Sequence, residues 1–256
     1  MQMEQNSPKK FYKSLDEKSR VFTADKVVRK EKLGQGKIAP VYVSEVWKDG
    51  VEYLFAVKDY DDEKKALTAF NGYLHAKAAG LAVFPTVRIS EDHKQLLMTL
   101  GTNEKFFIVG EGSEYKWKKA EAVLNILDVI MKVENDVLKA TTKGLGIPSD
   151  SQFFLIKKSD PNNATYYLGD YDFLEHQNRF NLFSKKGLFI FNLEEAQNAV
   201  VDFASMYLEA EKVQEYRNLI SDKFKDFEEK NKEKFMGIKH RLKKYNNPRG
   251  GEERGY

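Results

Sequence analysis

The chain has no cysteine. Disulfides, cysteine-ligated zinc and thiol catalysis are thereby excluded, and the composition fits a reducing compartment. Charge of one sign is equally scarce: 42 Lys and Arg against 39 Asp and Glu leave a net of +3. Such a balance describes a well-solvated surface, not a general polyanion binder. No apolar run approaches the ~18 residues that a membrane-spanning helix requires. Residues 1–10 are polar and lack the apolar stretch of a secretory signal, so a cytoplasmic location without membrane contact is expected. The four histidines, His75, His93, His176 and His240, show no metal-ligand spacing and read as surface or packing residues. There is no internal repeat.

What is present suffices for one good core, whole or divided between two lobes: 256 residues, 41% of them hydrophobic. Residues 1–22 mix charge and polarity without a period and read as a loose arm or surface strap. From Lys26 the pattern is β. Val41, Val43 and Glu45 alternate with Tyr42, Ser44 and Val46, Lys48-Asp49-Gly50 marks a turn, and residues 52–57 return as the partner strand. Residues 61–79 read as a helix, with Asp61 and Asp62 at its start, Leu67, Phe70 and Leu74 on one face, and Gly80 as its stop. Two strands follow over residues 83–89 and 94–98. After Gly101 the period becomes helical. Residues 121–141 carry a wide stripe of Val123, Ile126, Leu127, Ile130, Val133, Val137 and Leu138. Residues 153–156 and 165–168 form a hairpin, a further helix starts near Asn192, and charge dominates beyond Ser221.

Three short segments carry chemistry. Leu33-Gly34-Gln35-Gly36-Lys37-Ile38-Ala39-Pro40-Val41 sets two glycines in a tight turn, where backbone N–H groups approach a phosphate without a Cβ between. Lys58 follows the apolar Leu54-Phe55-Ala56-Val57 on the next strand, which directs it into a cleft. Leu168-Gly169-Asp170-Tyr171-Asp172-Phe173 comes much later. Its two aspartates fall on one side of an extended segment, which suits a divalent cation held with phosphate oxygens. Taken singly, each has a plain reading: a turn, a surface lysine, and aspartates capping a turn.

In this order the three segments resemble the protein-kinase superfamily over roughly residues 24–220, and no single subfamily. The resemblance implies a bilobal α+β fold: an arm (1–23), a small β-rich N-lobe (24–101), a reduced and mainly helical C-lobe (102–220), and a charged C-terminal helix and tail (221–256). It implies ATP with magnesium as cofactors. Gly34, Gly36 and Val41 match the first two glycines and the valine of G-x-G-x-x-G-x-V, and Lys58 matches the lysine of A-x-K. Leu97-Met98-Thr99-Leu100-Gly101 is similar to the strand between lobes whose backbone binds adenine, which implies nucleotide contacts at Thr99 and Gly101. Asp170 matches the metal-binding aspartate, with Asp-Tyr-Asp in place of Asp-Phe-Gly, and Gln152 takes the second metal position.

The departures matter as much. Ala39 replaces the third glycine. The helix over residues 61–79 has no mid-helix glutamate to partner the lysine; Asn71 lies there, and Glu63 is near the helix start. The H-R-D-x-x-x-x-N loop is not legible: with Gln152 in the place of its asparagine, the catalytic aspartate should fall at Ile147, which cannot accept a proton, and Asp150 serves only if the loop is shortened. No A-P-E segment follows Asp170. Three readings remain. The favoured one is a pseudokinase-like module that holds nucleotide and acts through a protein partner. The second is an active phosphotransferase with Asp170 on metal and Asp150 as a displaced base. The third assigns the function to the basic run Lys239-His240-Arg241-Leu242-Lys243-Lys244, acting on nucleic acid or another polyanion.

Overall fold

The computed structural model describes residues 21–35, 38–84, 87–99, 107–109, 123–143, 145–149, 151–157, 164–172, 174–176 and 188–245. Alternation in the first third of the chain produces a mostly antiparallel sheet. Its strands are β1 (Val21–Phe22), β2 (Lys26–Gln35), β3 (Pro40–Lys48), β4 (Val51–Asp59), β5 (Val87–Ser90) and β6 (Gln95–Thr99), in the order β1-β5-β6-β4-β3-β2. Asp49 and Gly50, at φ 52° and 74°, make the two-residue turn between β3 and β4. Only β1 runs parallel to its neighbour, and it buries Phe22 edge-on against Phe55. Residues 21–22 are therefore part of the sheet, where an arm was expected. The expected strand over residues 83–89 is shorter: Val87–Ser90 pairs with β6, while Val83 bridges to Leu168.

Helix α1 (Glu63–Ala79) starts and stops where local chemistry directs. The Asp62 side chain accepts from Lys64 N at 2.7 Å, and Gly80, at φ 92°, returns its N–H to Ala76 and Lys77 carbonyls. Its buried stripe is narrow-waisted: Ala66, Ala69 and Ala76 alternate with Phe70 and Tyr73. Leu67 and Leu74 are only half-buried.

The second half is built from β7 (Phe107–Val109), α2 (Ile126–Thr142), β8 (Leu145–Gly146), β9 (Phe153–Lys157), β10 (Ala164–Leu168), β11 (Glu175–His176), α3 (Leu188–Ser205) and α4 (Ala210–Tyr245). The expected hairpin forms between β9 and β10, and β7 adds a third strand beside β9. Helix α2 begins at Ile126, five residues later than expected, and the Asn125 side chain before it donates to the Ala164 carbonyl at 3.0 Å instead of capping. Leu127, expected in the buried stripe, is exposed. Helix α3 begins at Leu188, ahead of the expected Asn192. Helix α4 runs unbroken through position 220, and Ile220 and Phe224 are both in the core. It is fastened to α2 at the buried Glu134, which accepts from the Tyr216 hydroxyl at 3.0 Å and pairs with Lys223.

The chain is thus a mixed α+β protein, with a six-stranded sheet and four helices among the described residues. No helix among them is long and apolar enough to cross a membrane. One apolar cluster runs from Ala39, just before β3, and Ala56 on the sheet, through Ile130, Leu155 and Tyr171, to Phe203 and Phe224. A smaller cluster of Phe22, Val46, Phe55, Val57 and Leu97 covers the opposite sheet face.

Candidate functional site

Strand register assembles half of the site. Gly34 pairs with Val41, Val41 with Lys58, and Lys58 with Leu96. Residues paired directly across antiparallel strands project to the same face, so these four positions form one cross-strand row. The face is the one that carries Ala56 and Met98 into the main core. Lys58 is only 4% exposed. A buried ammonium needs an anion.

The other half comes from the turn after β10. Leu168 N donates to the Ala82 carbonyl at 2.8 Å, and Gly169 N donates to the Gln152 carbonyl at 3.0 Å. Tyr171 is buried; its hydroxyl donates to the Leu168 carbonyl at 2.7 Å and accepts from Phe84 N at 3.3 Å. Its ring meets Tyr73 of α1 edge-on at 5.4 Å. Two glycines fit the turn to its surroundings. A Cβ at Gly169 would overlap the Phe154 ring, and one at Gly72 of α1 would overlap the Tyr171 carbonyl oxygen. The turn thus contacts β9, helix α1 and residues 82–84.

The aspartates of this turn meet the lysine. Lys58 Nζ donates to Asp170 Oδ1 at 3.1 Å and to Asp172 Oδ2 at 2.5 Å. The Tyr60 hydroxyl donates to the remaining Asp172 oxygen at 2.5 Å, and Lys58 Nζ stands 5.7 Å from the Tyr60 ring centroid. The side chains differ in access: Lys58 is 5% exposed, Asp172 3% and Asp170 22%. Burial pushes the Asp172 carboxyl above its usual range and the Asp170 charge adds to this, while Lys58 and Tyr60 oppose it. Burial, followed by the Asp172 charge, also pushes the Tyr60 phenol upward, so the hydroxyl stays a donor.

The expected pair of cation-facing aspartates is therefore corrected. Both oxygens of Asp172 are committed to Lys58 and Tyr60, which leaves Asp170 as the carboxylate with an accessible edge. Gln152 is exposed, and its backbone lies beside that of Gly169. No group of three acidic or histidine side chains able to hold a metal occurs among the described residues. One carboxylate still fits magnesium, which keeps several waters and takes phosphate oxygens alongside one or two carboxylates.

Of the remaining expected residues, Gly36, Gly101 and Asp150 lie outside the described residues. Thr99 pairs with Phe55, so its side chain projects to the sheet face opposite Lys58. Its hydroxyl is buried and has no hydrogen-bond partner among the described residues. Thr99→Val is accordingly expected to hold or raise the unfolding free energy, by up to about 1 kcal/mol, in a urea titration. Glu63 is exposed and Asn71 half-buried; Lys58 is bonded to neither.

Sequence reasoning missed Tyr60 and Gly72. Tyr60 was within reach of it, lying two residues beyond Lys58 and hence on the same side of an extended chain. No protein-family model matches the chain, and no curated protein matches it either.

Proposed function

We propose that this chain is a nucleotide-binding module of protein-kinase-like build, which holds ATP with magnesium and acts through a protein partner. One observation carries the reading. Lys58 and Asp170, 112 residues apart, meet on the sheet face that Gly34 and Val41 share. A cation and a carboxylate so arranged suit the two needs of a bound triphosphate: positive charge on its oxygens and a ligand for its magnesium. Lys58 would lie on the phosphates and Asp170 would hold the metal, whose contribution is to neutralise phosphate charge.

Gly34 adds support. Its φ is not left-handed, and a Cβ built there meets no atom of the described residues within 4 Å. Neither backbone strain nor packing among the described residues accounts for a glycine at this position, whereas close approach of a phosphate does. The pseudokinase side of the reading is supported by the spacing back from Gln152, which would set the buried Ile147 at the family's base position.

The test is titration calorimetry with ATP, with magnesium and with chelator. Magnesium-dependent heat is expected, and no heat at millimolar ATP with magnesium overturns the reading. Gly34→Ala should weaken that binding severalfold, while unfolding stability stays level or rises by up to about 1 kcal/mol. Incubation with radiolabelled ATP and generic protein acceptors should give absent or very slow transfer. Robust transfer that Asp170→Ala abolishes would instead establish the active phosphotransferase.

A further inference from the structure

Helix α1 contributes no charge to the site. Of its residues nearest the place where a lysine partner is expected, Glu63 is exposed and Asn71 is not bonded to Lys58. What α1 does contribute is a seat. Gly72 lets the Tyr171 carbonyl lie directly on the helix, and a Cβ there would also stand 3.2 Å from Leu174 Cβ. The anion comes from the turn so seated. Asp172 is 3% exposed, spends one oxygen on Lys58 and the other on Tyr60, and keeps no free edge. Asp170, two residues earlier, gives Lys58 one oxygen at a longer 3.1 Å, and that same Oδ1 accepts from Asp172 N at 3.1 Å.

We infer that Asp172, braced by the Tyr60 hydroxyl, is the positioning residue that fixes the Lys58 ammonium, in place of any carboxylate from helix α1. The inference rests on the nucleotide reading for its functional consequence. If Asp170 turns to a cation, Lys58 keeps its buried partner and its position. Lysine anchor and cation ligand then belong to one rigid turn and move together. Lys58, Asp170 and Asp172 sum to one negative charge, so a polyphosphate enters favourably only with a divalent cation.

The test uses the full chain labelled with nitrogen-15 lysine. The Lys58 ammonium should give a slowly exchanging resonance, identified by its absence in Lys58→Arg. It should persist in Asp170→Asn, Glu63→Gln and Asn71→Ala, and vanish in Asp172→Asn. Tyr60→Phe leaves both charges in place and should speed exchange of that ammonium severalfold, which serves if Asp172→Asn does not fold. In calorimetry, Asp172→Asn should weaken ATP-magnesium binding about tenfold and keep its magnesium dependence, whereas Asp170→Asn should lose that dependence. Loss of the resonance in Asp170→Asn, Glu63→Gln or Asn71→Ala, with persistence in Asp172→Asn, overturns the inference. So does unchanged exchange in Tyr60→Phe. If the resonance follows Asp172 but wild type takes up no ATP with magnesium, the anchor stands and the nucleotide reading fails. If ATP binds equally to wild type and Asp172→Asn with the resonance intact, the reverse holds.

Discussion

Lys58→Met is expected to lower the unfolding free energy by about 3–5 kcal/mol, because it strands a buried carboxylate. Asp172 is 3% exposed, and without the lysine its only partner among the described residues is the Tyr60 hydroxyl, with Asp170 close by. The carboxyl, already pushed upward by burial and by Asp170, would take up a proton more readily. Lys58→Met/Asp172→Asn removes both charges and leaves Tyr60 an acceptor. It should recover most of the loss, since replacing a buried ion pair as a unit is often close to neutral. Urea unfolding of the two single variants and the double variant gives the coupling directly. Additive losses would mean that the two groups do not depend on each other. This stability cost also governs how Lys58 is probed. An affinity change in any Lys58 variant counts only where unfolding shows the protein still folded.

Gly72→Ala should also be severe, and here the sign is diagnostic. On a helix free of neighbours, the substitution would stabilise by roughly 0.5–1 kcal/mol. In this chain the added methyl overlaps the Tyr171 carbonyl oxygen, a backbone atom that cannot swing aside like a side-chain tip. Tyr171 is held at both ends of its hydroxyl and along its ring. Relief requires helix and turn to part, and overpacking of this kind costs about 1–3 kcal/mol or more. A fall in the unfolding midpoint is therefore expected, together with weaker ATP-magnesium binding as the Asp170–Asp172 turn shifts. A rise in stability would show that helix α1 does not seat the turn.

Features set by neighbouring residues were legible from the sequence. The turn at Asp49 and Gly50 follows from a local demand for positive φ, and the ends of α1 follow from Asp62 and Gly80 satisfying orphan backbone groups within a few residues. Burial of Lys58 was legible from the continuous apolar run before it, since a strand apolar on both faces is one covered on both faces. Periodicity does not report what covers either face. The apolar stripe from Val123 onward puts the α2 start early and Leu127 inside, because apolar spacing alone marks neither where a helix starts nor which of its apolar side chains stays exposed. The same limit applies at the site. Asp172 beside Asp170 reads locally as a second cation ligand, and only the approach of Lys58 and Tyr60 from over a hundred residues away commits both of its oxygens elsewhere. Gly72 reads locally as a weak point in a helix, and becomes a contact only when the Tyr171 carbonyl is laid against it. The chain by itself thus determined its mixed α+β character, the β3–β4 turn, the ends of α1, and the residue types that the proposed nucleotide and metal would use. The fold decided which of those residues meet and which carboxylate remains accessible, because charge pairing and steric overlap depend on distances in space that local propensity does not encode.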